Sequence, residues 1–421
     1  MKSFCYVFIF FFVALSTTYS QVNPVDLYSK ITIDTARVNF TQNAINNTIE
    51  ATFALKSDSV DTKKFQEAFW AMELLNYKND NIKQKLYNLF SKFDSFDLEF
   101  KRSLLEIVFT MYPAEFKDNI EKLLPTINNE KLFAMCVNYL IKNNYSKSTL
   151  LKKLEKQFSN WEENPILTYL HYELKTDVKD RFATTPPLKD LLHSGSLFNK
   201  MPVVFSIQRH NRDYQGIAII RDKDGNLVKN KDGSIFYVKQ LARAVTNLNG
   251  YITNGNTPQG IFSIQKIGKA NSKFIGPTPT LELVLPYEVN STLFLHSPYT
   301  TVPEWSLEFY KSMLPESWLN YTPILEAFYA GKAGRNEILS HGTTVDPVFY
   351  KDAPFFPNTP TYGCLCTYEI WDRKSGQCLE SDQVNLVNAF LSTYFYAGYF
   401  VVVEIDDQNK DVTIEEVLNN F

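Results

Sequence analysis

The residues best suited to chemistry form one short run, Thr361-Tyr362-Gly363-Cys364-Leu365-Cys366. A cysteine directly after a glycine, in a loop preceded by Pro360, can expose its thiol while neighbouring backbone amides point at one spot. Such amides can hold an oxyanion. A thiol near neutral pH needs a base or a cation beside it to act as a nucleophile. Two histidines could serve: His341 in Ser340-His341-Gly342-Thr343, and His296 closing an expected strand over Thr292 to Leu295. The competing use of Cys364 is a disulfide. Cys364 with Cys366 would be strained, whereas Cys366 with Cys378 would close a hairpin-like loop and leave Cys364 free.

Other matches carry less. Asp222-Lys223-Asp224-Gly225 lacks the further oxygen ligands and terminal glutamate of a calcium loop and reads as a hairpin turn. Ser263-Ile264-Gln265-Lys266 has the spacing of a serine acyl-enzyme, but its serine lies in a strand pattern and the partner motifs are absent. The five histidines, at 171, 193, 210, 296 and 341, include no His-x-x-x-His pair. No metal and no cofactor is expected.

The elements that must position these residues fall into two textures. From Asp61 to about Lys175 the pattern predicts six or seven helices. Ile82, Leu86, Leu89, Phe90 and Phe93 form one apolar stripe, and Leu132, Phe133, Cys136, Val137, Leu140 and Ile141 another. Starts near Asp61, Asp97 and Asn129 suggest helix pairs recurring every 30 to 40 residues, as in a solenoid, with a plain bundle as the alternative. After Pro202 strands dominate: Val203 to Ile207, Gly216 to Arg221, Ile235 to Val238, Ile261 to Ile264, Leu281 to Leu285 and Phe400 to Ile405. A helical insert interrupts them near Glu304 to Ala330. The expected organisation is therefore multidomain α and β. Residues 1–20 form a leader, 21–60 an irregular segment, 61–185 a helical-repeat-like all-α domain and 186–201 a linker. Residues 202–406 form a mainly β domain with an insert at 303–340, and 407–421 a C-terminal segment.

Composition narrows the setting. The chain has 421 residues, 44% hydrophobic and 15% aromatic, with Lys+Arg 43 against Asp+Glu 46 and a net charge of −3. That excludes a disordered chain, and it argues against a dedicated nucleic-acid binder, which would show clustered excess Lys/Arg. The start differs from the rest. Lys2 precedes an apolar run rich in phenylalanine, then small polar residues to Ser20. This is the pattern of a secretory signal peptide cleaved after Ser20. No later segment is long and apolar enough to span a bilayer. The expected location is the periplasm, the cell envelope or the exterior.

Three segments, in this order, resemble the L,D-transpeptidase catalytic domain (YkuD type) over residues 201 to 406. Thr257-Pro258-Gln259-Gly260-Ile261-Phe262-Ser263-Ile264 is similar to the family's Thr-Pro-x-Gly strand opening. Ser340-His341-Gly342-Thr343 is similar to its His-Gly-Thr, and Thr361-Tyr362-Gly363-Cys364-Leu365 to its nucleophile loop. Tyr362 departs from the usual His or Arg, and Cys366 from the common Arg or Asn. His341 precedes Cys364 by 23 positions, slightly more than is usual. The resemblance implies peptidoglycan stem peptides as substrate and Cys364 as nucleophile. His341, or else His296, would be the base. Thr361, Tyr362, Gly363 and Gly342 would form the oxyanion and substrate contacts, and no metal or cofactor would be needed. Water in place of an amine acceptor would make the enzyme an L,D-carboxypeptidase or cross-link hydrolase. A non-catalytic wall-binding scaffold is the alternative from another class. The 303–340 insert would be a lid, and the helical half would grip glycan, an envelope protein or the catalytic domain itself.

Overall fold

The computed structural model describes residues 21–55, 60–194, 198, 200–297 and 302–419. The expected leader lies outside them. Helix α1 (Asp34–Asn43) runs through a π-helical stretch, Ala44–Glu50, into α2 (Ala51–Phe53). The segment expected to be irregular is thus largely helical. Its Asn- and Thr-rich composition hid helix turns that bury only Ala44, Ile49, Thr52 and Phe53. Seven helices follow before residue 176: α3 (Thr62–Leu75), α4 (Asp80–Phe90), α5 (Leu98–Met111), α6 (Lys117–Leu123), α7 (Glu130–Lys142), α8 (Lys147–Gln157) and α9 (Pro165–Lys175). Side-chain caps start the odd-numbered members. Asp61, Asp97, Asn129 and Asn164 each accept a backbone N–H from the first turn, satisfying donors that the helix leaves open. Helices α3, α5, α7 and α9 pack side by side, giving the paired-helix array that the cap spacing suggests.

Helices α10 (Val178–Ala183) and α11 (Leu188–Leu192) lead to the sheet, so the expected linker carries a short helix whose Leu188, Leu191 and Leu192 are buried. The strands are β1 (Val203–Gln208), β2 (Gly216–Arg221), β3 (Tyr237–Leu241), β4 (Gly260–Lys269), β5 (Pro279–Val284), β6 (Ile338–His341), β7 (Leu365–Thr367), β8 (Glu369–Trp371), β9 (Cys378–Ser381) and β10 (Gly398–Glu404). Eight of them close a barrel in the order β1-β10-β4-β5-β6-β7-β3-β2, and β8 and β9 form a separate ribbon. The β1–β10 and β6–β7 pairs are parallel. The remaining helices are α12 (Ser291–Phe294), α13 (Leu307–Lys311), α14 (Glu326–Lys332), α15 (Asp382–Leu391) and α16 (Ile414–Leu418).

Both faces of the central strands are covered. Val204, Ala218, Phe262, Phe400 and Val402 pack with Leu386, Val387 and Phe390 of α15. Their alternates Val203, Phe205, Tyr399, Val401 and Val403 pack with Trp318, Ile324 and Phe328 of the insert. Burial on both faces is why these strands read as unbroken apolar runs. The hydrophobic cluster under the first face continues into the helical array. No helix among the described residues is long and apolar enough to cross a membrane.

Two expectations are corrected here. Residues 292–295 form the last part of α12 and the residue after it, not a strand; Asn290 caps α12 through the Leu293 N–H at 2.8 Å. The insert is not a hinged lid. Tyr310, Trp318, Ile324, Leu325 and Phe328 bury it against the barrel, and α14 packs on α9 and β4.

Candidate active site

The loop that carries Cys364 is braced from three sides. Gly363 has φ +115°, a conformation that side chains rarely adopt, and a Cβ there would meet Arg335 Nη2 and the Gly255 carbonyl. Its carbonyl accepts from the Thr257 hydroxyl at 2.9 Å and from Arg335 at 3.4 Å. Its N–H donates to Thr361 Oγ1 at 3.0 Å, and that hydroxyl donates to the Cys364 carbonyl at 2.8 Å. Two sequence assignments change in consequence. The Gly363 amide is spent inside the loop and is not an oxyanion donor, and Thr361 is a loop brace.

Cys364 follows as a half-buried thiol. Its Sγ accepts from the Leu339 N–H at 3.3 Å and lies 3.8 Å from the Glu337 carbonyl. Burial raises its pKa; the Leu339 N–H and the Arg335 charge oppose that rise. It is therefore a thiol at neutral pH and needs a base.

Sheet register places the two candidate histidines differently. Ser340 and Thr367 both contact Gln383 of α15, so Leu339, His341 and Cys366 point to the opposite face. His341 lies directly across from Cys366 in the parallel β6–β7 pair. Cys364 precedes β7, and its Sγ accepts the backbone N–H of Leu339, two residues before His341 on β6. His341 is buried, and its Nδ1 donates to the Gly342 carbonyl at 2.5 Å. A carbonyl only accepts, so the hydrogen sits on Nδ1 and Nε2 is the basic nitrogen. Burial lowers the ring's pKa to about 4, against the Gly342 bond, which raises it. The imidazole is neutral at pH 7. No hydrogen bond joins it to the Cys364 thiol.

His296 is elsewhere. Its Nε2 meets Ser263 Oγ at 2.8 Å and the Gly398 carbonyl at 3.1 Å, next to β4. Strands β5 and β6 separate β4 from β7. The candidate base His296 is thus a hydrogen-bonded residue of the barrel wall. The strand that would have carried it to the site does not form.

The remaining predicted residues take distinct positions. Gly342 lends its carbonyl to His341, and a Cβ there would strike the Glu369 carboxylate. Tyr362 donates its hydroxyl to Glu73 Oε2 of α3 at 3.1 Å. All four described cysteines, Cys136, Cys364, Cys366 and Cys378, are free thiols, so the Cys366–Cys378 bridge is not formed. No group of three or more His, Cys, Asp or Glu that could hold a metal ion occurs among the described residues.

Sequence reasoning missed three contributors. Arg335, 4% exposed, is a buried cation whose charge acts on the thiol. It donates to the carbonyls of Gly250, Ile252, Gly255, Asn256 and Gly363. Burial brings its pKa down to about 10, so it stays charged. The second is a ladder of polar residues on the array: Glu73, Glu106, Asn138 and Glu173, spaced 33, 32 and 35 residues apart. The first three are buried and all four reach the barrel, at Tyr362, Asn254, Tyr251 and Asn249 respectively. Its sequence signal is a polar residue set within a largely apolar run late in each helix.

The third is Glu369, whose Oε2 accepts the Thr343 N–H at 2.9 Å and whose Oε1 accepts the Ser381 hydroxyl at 2.7 Å. Burial raises it to about 8 despite those bonds. A carboxyl raised in the fold contributes stability that is complete below its unfolded value and lost as pH climbs through the folded one. Between pH 5.5 and 8 the loss is expected to be about 3 kcal/mol, at 1.36 kcal/mol per unit. Glu326, raised to about 7, and Asp382, raised to about 6, act in the same sense. The diagnostic is therefore the difference between wild type and Glu369→Gln in urea unfolding at the two pH values. The variant should lose most of that slope; equal slopes would show that Glu369 is not the titrating group.

Comparison with protein-family models, with curated proteins and with solved structures finds no match to this chain.

Proposed function

We propose that the protein is an exported cysteine acyltransferase of the L,D-transpeptidase type, acting on peptidoglycan stem peptides. The observation that carries this reading is the convergence of the three resembling segments. Thr257 holds the carbonyl of Gly363, Gly363 precedes Cys364, and His341, with a basic Nε2, lies on the strand whose Leu339 N–H meets the thiol. On this reading, 202–406 is the catalytic unit and the helical array is its support.

The chemistry follows from two neutral partners. His341 Nε2 removes the thiol proton as Cys364 Sγ attacks the donor carbonyl. Collapse of the tetrahedral species breaks the C–N bond, and the imidazolium returns the proton to the leaving D-amino acid. The thioester is then opened by an acceptor amine. The C–S bond breaks, a new amide forms, and the amine's proton passes through His341 back to sulfur. Water as acceptor gives the hydrolase outcome on the same residues. Arg335 and the Leu339 N–H favour the thiolate as it develops.

A second reading, a non-catalytic wall-binding protein, is favoured by the thiol's raised pKa and its lack of a hydrogen bond to imidazole. Intact-mass analysis after incubation with a carbapenem separates the two. The wild type is expected to gain one covalent adduct, Cys364→Ala none, and His341→Ala should react about a hundredfold more slowly or worse. His296→Ala should react as wild type. A folded wild type that forms no adduct, and releases no D-amino acid from muropeptides, would leave the binding reading. Dimer formation against simple trimming, read by product mass, assigns the acceptor.

A further inference from the structure

The last turn of α3 ties two loops of the barrel region to the helical array. The Tyr350 hydroxyl donates to the carbonyls of Glu73 and Leu74, at 3.2 and 3.0 Å, and Asn76 Nδ2 donates to the Phe349 carbonyl at 3.4 Å. The Tyr362 hydroxyl donates to Glu73 Oε2 at 3.1 Å. Glu73 is buried, and its Oε1 lies 3.1 Å from the Thr110 hydroxyl of α5. A carboxyl is costlier to bury than an apolar side chain of its size. Burial and the neighbouring Glu106 carboxyl raise its pKa, and the Thr110 and Tyr362 hydroxyls oppose that rise.

Tyr362 adjoins the most permissive point of the Cys364 loop. Gly363 follows it with φ +115°, and Cys364 comes next. Thr257 and Arg335 hold the Gly363 carbonyl from the barrel side. The bond between Tyr362 and Glu73 holds the residue before that glycine from the array side. Glycine turns freely, so the course of the chain through it depends on anchors on both sides.

We propose that Glu73 is a positioning residue for Cys364, acting through the Tyr362 hydroxyl, so that helix α3 of the array fixes how the thiol is presented. The proposal rests on the acyltransferase reading for what that thiol does, and one arm of its test needs no acyl transfer. Iodoacetamide alkylates any accessible thiol. Cys136, Cys366 and Cys378 are wholly buried, and peptide mapping assigns the adduct to position 364. A loosened loop exposes the sulfur and relieves the burial that raises its pKa. Tyr362→Phe removes one hydroxyl, and Glu73→Leu removes its acceptor. Each should speed alkylation of Cys364 by about twofold or more and slow carbapenem acylation by about tenfold. The double variant should change no further than either single one. Glu73→Gln keeps an acceptor oxygen and should stay near wild type in both reactions. Tyr350→Phe also loses a bond between array and barrel; it should lower stability in urea unfolding and move neither rate. Circular dichroism checks that each variant is folded. Wild-type rates in Tyr362→Phe, additive effects in the double variant, equal rate changes in Tyr350→Phe and Glu73→Leu, or a Glu73→Gln no closer to wild type than Glu73→Leu would each overturn the proposal. A wild type that forms no carbapenem adduct removes the acyltransferase reading alone, and the alkylation series then decides on Glu73 by the same comparisons.

Discussion

Arg335→Met is expected to cost the fold about 3–5 kcal/mol in urea unfolding and to slow acylation of Cys364 together with it. The side chain is buried where water cannot replace it, and five carbonyls look to it for a donor. Methionine fills similar volume, so the loss is polar rather than steric. Each carbonyl left without a donor costs about 1–3 kcal/mol, although some will relax towards other partners. The chemical effect comes through Gly363. Of the two side chains that hold its carbonyl, only Thr257 remains, and Cys364 is the next residue. The thiol also loses a cation whose charge acts on it, so its pKa should rise further. Arg335→Lys separates the two effects. It restores a charge but not the planar fork, so it should recover part of the reactivity and little of the stability. Wild-type stability in Arg335→Met would mean that the carbonyl cluster is not held as described.

The parts of the molecule that were legible in the sequence are those whose signal is local. The stripe Ile82, Leu86, Leu89, Phe90 buries one side of α4, and Asp97 and Asn129 cap the helices they precede. The runs at 203–207 and 400–403 announce strands because both their faces are covered. What escaped depends on distant partners. Thr292 to Leu295 is too short to show a period, so its apolar run reads as a strand, and the cap at Asn290 is the better guide. Barrel closure rests on the parallel pairing of β1 with β10, which joins opposite ends of the region. In the site, Gly363-Cys364 and His341 stand out by residue type. Arg335 does not, because nothing in Ala333-Gly334-Arg335-Asn336 says that this arginine is buried. Where His341 and His296 fall in the sheet is a matter of register, and register is fixed only by the assembled sheet.

Glu404→Gln should be at least as damaging as the arginine replacement, by about 3–5 kcal/mol, and for the complementary reason. This carboxylate, at the end of β10, is 5% exposed. Arg181 reaches it at 2.7 Å, Arg212 at 2.9 Å, His210 at 3.0 Å and Gln259 at 2.9 Å. Glutamine keeps the shape and the acceptor oxygen but leaves two buried guanidinium groups without a counter-charge. Burial alone would raise the carboxyl's pKa; the charges of Arg181, His210 and Arg212 outweigh it and hold the group well below the usual carboxylate range. A depressed carboxyl contributes stability that is present above its unfolded value, near 4.5, and lost as pH falls towards the folded one. The gap between wild type and Glu404→Gln is therefore expected to be full at pH 7 and to narrow steadily below pH 4.5. A gap that stayed constant over that range would show that the lost interaction is not the charge. Adding Arg181→Met to Glu404→Gln should recover part of the loss, because it removes one of the stranded cations. Arg181 belongs to α10 and Gln259 to the Thr257–Gly260 turn, so this one carboxylate joins the helical side to the segment that braces Gly363. Its neutralisation should accordingly loosen the Cys364 loop without touching it, and carbapenem acylation should slow in Glu404→Gln even under conditions where the variant remains folded.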